Sequence, residues 1–119
     1  MRRIIGIWIN CSSVEEAEKV GRALMASKLA PGFNRHPPIA SAYVWQGEVH
    51  EREEVPLLVK TREELFDRIV AEVKAHHGYK VPAITSVAIP QASADYVGWI
   101  YENTSGADQE ERSTRVPVK

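Results

Sequence analysis

IASAYVWQGEVHEREEVPLLVKT, residues 39–61, is the stretch on which the fold turns. Two runs rich in β-branched and aromatic residues flank Gln46-Gly47, the pattern of a β-hairpin with a tight turn. On the first arm Ser41, Tyr43 and Trp45 share a face, and Ala42 and Val44 share the other. On the second arm Val49, Glu51, Glu53, Val55, Leu57 and Val59 share a face that is polar near the turn and apolar towards Thr61. The hairpin therefore starts exposed and ends in a core. Arms this long carry the turn beyond a small domain, and an isolated two-stranded projection is marginal in water. Tyr43 and Trp45 are large surfaces to leave wet, so the far end is expected to pack on another copy of the chain.

Outward from the hairpin, the pattern is regular. Ile4 to Cys11 alternates Ile5, Ile7 and Ile9 with Ile4, Gly6 and Trp8, as in a central strand covered on both faces. Ser13-x-x-Glu16 has capping-box spacing and opens a helix whose apolar positions are Ala17, Val20, Gly21, Leu24 and Leu29, ended by Pro31-Gly32. After the hairpin, Thr61-x-x-Glu64 offers a second capping box. Leu65, Ile69 and Val73 form a helical stripe beside Phe66, with Gly78 as C-cap. Pro56 marks an edge or bulge in its strand. Residues 83–89 read as a fourth strand and residues 94–102 as a short helix capped by Ser93.

Strand, helix, strand, strand, helix, strand and a terminal helix make an α+β, ferredoxin-like split βαβ sandwich. Both main helices fall on one face of an antiparallel sheet. The other face is left open, which again points to oligomerisation. Residues 1–103 form this domain. Residues 104–119 are polar, with little to bury, and read as a flexible tail.

Composition narrows the function. The chain has 119 residues, 26% of them charged, and a net charge of −1, so it is one ordinary globular domain with no electrostatic case for nucleic acid. No apolar run is long enough to span a bilayer. The opening MRRIIGIWINCSS reads as a strand rather than a secretion signal, and a cytoplasmic location is expected. A single cysteine, Cys11, excludes an internal disulfide. No phosphate loop, nucleophile elbow or metalloprotease motif is present, so an enzyme is not expected.

Four segments resemble the CutA family of divalent-cation-tolerance proteins: EEAEKVGRALMASKLA, SAYVWQGEVHEREEVPLLVKT, HHGYKVPAI and ADYVGWI, in order and spacing over residues 4–102. The resemblance implies a tight homotrimer with strands of neighbouring protomers joined into extended sheets. It also implies a structural similarity to PII signalling proteins, which bind small effectors between subunits. Some members place copper on a strand-one thiol plus an adjacent His pair. His76 and His77 match the pair, while the thiol position falls on Ile9. The family pattern His-Pro-Tyr-Glu-x-Pro-Glu becomes His77-Gly78-Tyr79-Lys80-Val81-Pro82-Ala83, and the usual Ala-Ala-Cys-Val-Asn becomes Ala30-Pro31-Gly32-Phe33-Asn34.

The metal candidates are thus His76 and His77, with Cys11 on the strand face of Ile9 as a substitute thiol, binding copper or another divalent cation. No organic cofactor is implied. The alternatives are a His pair serving the helix C-terminus and a buried, inert thiol. Glu48, Glu51, Glu53 and Glu54 with His50 offer further ligands, or a solvated charged face. Tyr43, Trp45, Tyr79 and Lys80 are the cleft or interface residues. Lys80, where the family prefers an acid, motivates a second reading: a regulatory module holding a small anion or nucleotide and signalling to an unidentified protein partner.

Overall fold

The computed structural model describes residues 2–105. Strand β1 (Ile4–Cys11) is central, pairing antiparallel with β4 (Glu48–Arg62) on one side and β5 (Ile84–Ile89) on the other. Helices α1 (Val14–Ala26) and α2 (Phe66–His76) pack on one face of this sheet. The core between them is Ile5, Ile7, Ile9 and Cys11 of β1, Val55, Leu57 and Val59 of β4, Ala17, Val20 and Leu24 of α1, and Ile69 and Val73 of α2. Fully burying such Ile, Leu and Val side chains contributes about 1.5–3 kcal/mol each. The α+β, ferredoxin-like arrangement is the one the sequence implies.

Strand β4 is fifteen residues long because it serves two partners. Its first half pairs with β3 (Ile39–Trp45), from Ile39 opposite Glu54 to Trp45 opposite Glu48, and its second half pairs with β1. The turn between β3 and β4 has Gln46 at φ 53 and Gly47 at φ 81. Two left-handed residues make a type I′ turn, whose twist suits a two-residue hairpin. Seven paired rungs at about 3.4 Å project the hairpin more than 20 Å. Burial along β4 switches from exposed to buried at Glu54, as the polar-to-apolar gradient of the arm requires.

A two-residue strand, β2 (Asn34–Arg35), occupies what reads in sequence as loop and pairs with Leu58 and Leu57 of β4. Pro56 sits where β4 passes from β3 to β2. Its carbonyl accepts from His36 N at 2.9 Å, so its missing N–H faces that gap, and β1 loses no ladder bond.

Three local readings are corrected. Helix α1 ends before Pro31-Gly32. Ser27 is its C-cap, Lys28 adopts φ 60, and Leu29 N donates to Leu24 O at 2.9 Å, a Schellman closure built on a lysine. Thr61 caps nothing: it lies in β4, buried, and its hydroxyl donates to Leu29 O at 2.6 Å. Gly78 is not a left-handed cap either, because α2 stops at His76 and His77 is already extended, with φ −102 and ψ 142.

Helix α3 (Ala94–Glu102) starts at Ser93, whose Oγ accepts from Tyr96 N. It is clipped to the end of β4 by Arg62, which is 5% exposed. The guanidinium donates to Thr104 Oγ1 at 2.7 Å and Tyr101 O at 2.8 Å and lies 4.5 Å over the Tyr101 ring. Thr104 is therefore buried, one residue past the expected domain end, and residues 106–119 lie outside the described residues. Around Trp8 and Val87 the sheet face opposite α1 and α2 is open, with those side chains 36% and 53% exposed, so β1 is not covered on both sides. Among the described residues no helix is long and apolar enough to cross a membrane.

Candidate metal centre

Three chain segments meet at the Cys11 end of β1. The strand delivers Cys11, two residues link it to the N-terminus of α1, and the antiparallel α2 returns its C-terminus to the same end. Cys11 Sγ, a Glu16 carboxylate oxygen and a His77 ring nitrogen lie within 4.8 Å of one another. Thiol, carboxylate and imidazole are a donor set for zinc or copper.

Each group is also tied into the fold. Ser13 Oγ accepts from Glu16 N at 3.0 Å, the first half of a capping box. The Glu16 carboxylate does not return to Ser13. Its Oε1 accepts from Ser12 N at 2.7 Å and its Oε2 from Gly78 N at 2.8 Å, fastening α1 to the connector after α2. Burial alone would raise this carboxyl. The two backbone donors and the nearby His77 outweigh it and hold the group below its ordinary value.

The His77 side chain is fully buried. Its Nε2 donates to Asn10 O at 2.8 Å, with Glu16 Oε1 at 3.4 Å, and its Nδ1 accepts from Tyr79 N at 3.1 Å. Cys11 is also fully buried, and its thiol is pushed up to about 12 by burial and by the charges of Glu16 and Glu54. An apolar wall and two nearby carboxylates disfavour the thiolate; a cation between them reverses that balance.

His76 does not join the cluster. It is part-exposed and its Nε2 lies 3.2 Å from Glu72 Oε2, one turn back on α2. Adjacent residues at a helix end point apart, which separates the pair. The residue that sequence reasoning missed is Glu16. Its capping-box position accounts for it locally, but only the fold brings Gly78 and His77 to its carboxylate.

Tyr43, Trp45, Tyr79 and Lys80 do come together, lining an open groove of about 1010 Å³ between the hairpin and the 79–83 connector. Tyr43 stacks on His50 with ring centroids 5.7 Å apart. Arg52 Nη1 donates to Tyr79 Oη at 2.7 Å, and its guanidinium lies over the Tyr79 ring. Of the hairpin acids only Glu54 is buried; Glu48, Glu51 and Glu53 face solvent.

A family model described as CutA1 divalent ion tolerance protein matches residues 5–103. The divalent-cation tolerance protein CutA of Thermus thermophilus is 40% identical over 98 residues, covering 82% of this chain and 95% of that protein. The structure of the periplasmic divalent cation tolerance protein CutA from Archaeoglobus fulgidus superposes with a TM-score of 0.79 at 36% identity, covering 87% of this chain and 98% of that one. The crystal structure of CutA1 from Oryza sativa gives a TM-score of 0.82 at 31% identity, covering 86% and 94% of the two chains. The chain belongs to the CutA1 divalent ion tolerance family.

Proposed function

We propose that this protein acts in divalent-metal tolerance by binding a metal ion at Cys11, Glu16 and His77. The observation that carries the reading is the convergence of those three donors from β1, α1 and the end of α2 within 4.8 Å. The residues fit a metal. Glu16 has spare lone pairs beside its two N–H partners, Cys11 supplies a soft ligand once deprotonated, and the surrounding charge is negative. Zinc and copper suit these donors better than calcium or magnesium, which prefer all-oxygen shells. Occupancy would supply a fixed positive charge beside a thiol that now feels the negative charges of Glu16 and Glu54. Binding rather than catalysis is the reading the thiol supports, since a buried thiol raised to about 12 is a poor nucleophile at neutral pH.

The proposed form is a homotrimer. Val44 and Val49 near the hairpin tip are 69% and 70% exposed, and Trp45 is 38% exposed. Val44 and Val49 lie on one face of the hairpin and Trp45 on the other, and Trp8 and Val87 add exposed apolar area on the open sheet face, so a second copy would cover apolar side chains at each of these places.

Equilibrium dialysis against zinc and copper tests the site. Wild type is expected to take up one ion per chain. Cys11→Ala and His77→Gln are expected to lose it, and His76→Ala to keep it. Equal, weak uptake by all four proteins overturns the assignment. Sedimentation equilibrium tests the assembly: three chains are expected, and a folded single chain refutes it.

A further inference from the structure

We propose that metal uptake at this cluster releases Tyr79 and thereby loosens the tie between the 79–83 connector and the hairpin. The proposal rests on the metal-binding reading above and adds a response to it.

A neutral imidazole has one lone pair available as an acceptor. In this fold Tyr79 N–H already uses it, at His77 Nδ1, while the other ring nitrogen donates to Asn10 O. Ligation at Nδ1 takes the lone pair directly. Ligation at Nε2 requires that nitrogen to lose its proton, which leaves the ring proton on Nδ1 pointing at the Tyr79 N–H. By either route the Tyr79 amide loses its acceptor. Ligation through Nε2 also costs the bond to Asn10 O.

Tyr79 links the cluster to the hairpin arm. Its ring sits edge-on to His77 at 5.0 Å, its hydroxyl accepts from Arg52 at 2.7 Å, and the Arg52 guanidinium lies 5.3 Å over its ring. Arg52 stands opposite Ser41 in the β3–β4 ladder, on the face carrying Tyr43 and His50. Tyr79, Lys80, Val81 and Ala83 form one wall of the groove and the hairpin forms the other. Freeing the Tyr79 amide therefore alters the wall facing Tyr43 and Trp45, and a metal ion buried beside β1 is felt at the protein surface. Linkage makes the coupling reciprocal: whatever weakens the Tyr79–Arg52 tie favours metal.

The test uses zinc alone, which is redox-inert, on the full chain. Zinc uptake is measured by dialysis, and single-amide hydrogen exchange is followed by NMR with and without zinc. The expected result is at least tenfold faster exchange of the Tyr79 amide on zinc binding, with the Ile7 and Ile9 amides unchanged. Tyr79→Phe, which removes the hydroxyl that accepts from Arg52 and faces Glu54, is expected to bind zinc a few-fold more tightly. Zinc uptake that Cys11→Ala abolishes, with Tyr79 exchange unchanged, overturns the coupling and leaves the metal site standing. Zinc affinity unchanged in Tyr79→Phe also overturns it. No zinc uptake at all removes the metal-binding reading, and the coupling with it.

Discussion

Replacing Glu16 with Gln measures how much the α1 N-terminus depends on one carboxylate. Its two oxygens accept from Ser12 N at 2.7 Å and Gly78 N at 2.8 Å. A glutamine keeps one acceptor oxygen and turns its NH2 towards the other backbone N–H. One charge-assisted hydrogen bond, about 1.5–3 kcal/mol, is lost, and a donor is left facing a donor. The expected cost is about 2–3 kcal/mol, or roughly 8–12 °C in Tm for a domain of this size. The assay is thermal unfolding in chelator at one fixed protein concentration, because association shifts Tm.

The pH dependence has a definite sign. The folded carboxyl lies below its ordinary value of 4.5, so its contribution is complete above pH 4.5 and is lost as pH falls through the folded value. The gap between wild type and variant should narrow over that acid range. Gly78→Pro removes the N–H that Oε2 accepts from. It should cost about 1–2 kcal/mol alone and little more in the Glu16→Gln background. A loss below about 0.5 kcal/mol for Glu16→Gln, or full additivity with Gly78→Pro, refutes the reasoning.

A Cβ added at Gly21 would lie 2.6 Å from Phe33 Cδ1 and 2.7 Å from its Cγ. Gly21→Ala should therefore destabilise by about 1–2 kcal/mol despite the helix-propensity gain of about 1 kcal/mol, and Phe33→Val should rescue it, as denaturant titration would show. Lys28 sits at φ 60, so Lys28→Gly should stabilise by about 1 kcal/mol in the same titration. Cys11, buried with its thiol near 12, should react with a disulfide reagent at pH 8 on the order of 10³-fold more slowly than in denaturant.

Much of the fold is legible because its signals are local and repeat. The Ile5-Ile7-Ile9 alternation, the Leu65-Ile69-Val73 stripe and the Ser93 cap each match the structure. So does the polar-to-apolar run along β4. Pairings that depend on distant partners are not legible. Strand β2 is two residues whose only justification is the flank of β4, and Thr61 looks like a cap until Leu29 O is found beside it.

The metal candidates divide the same way. The resemblance brought out His76 and His77 together, but α2 ends between them, so only His77 turns inward. Glu16 reads as an ordinary capping residue because its other partner, Gly78, lies 62 positions away in sequence. Lys80 reads as a charge near a cleft, and the groove beside the hairpin does hold it, with Arg52 as a second cation that sequence reading passed over.

Zinc-edge X-ray absorption on the zinc-loaded protein reads the ligand shell itself. The expected spectrum has one sulfur at about 2.3 Å and nitrogen or oxygen neighbours at about 2.0–2.1 Å, with the sulfur lost in Cys11→Ala. A shell of nitrogen and oxygen alone in the wild-type protein would contradict it.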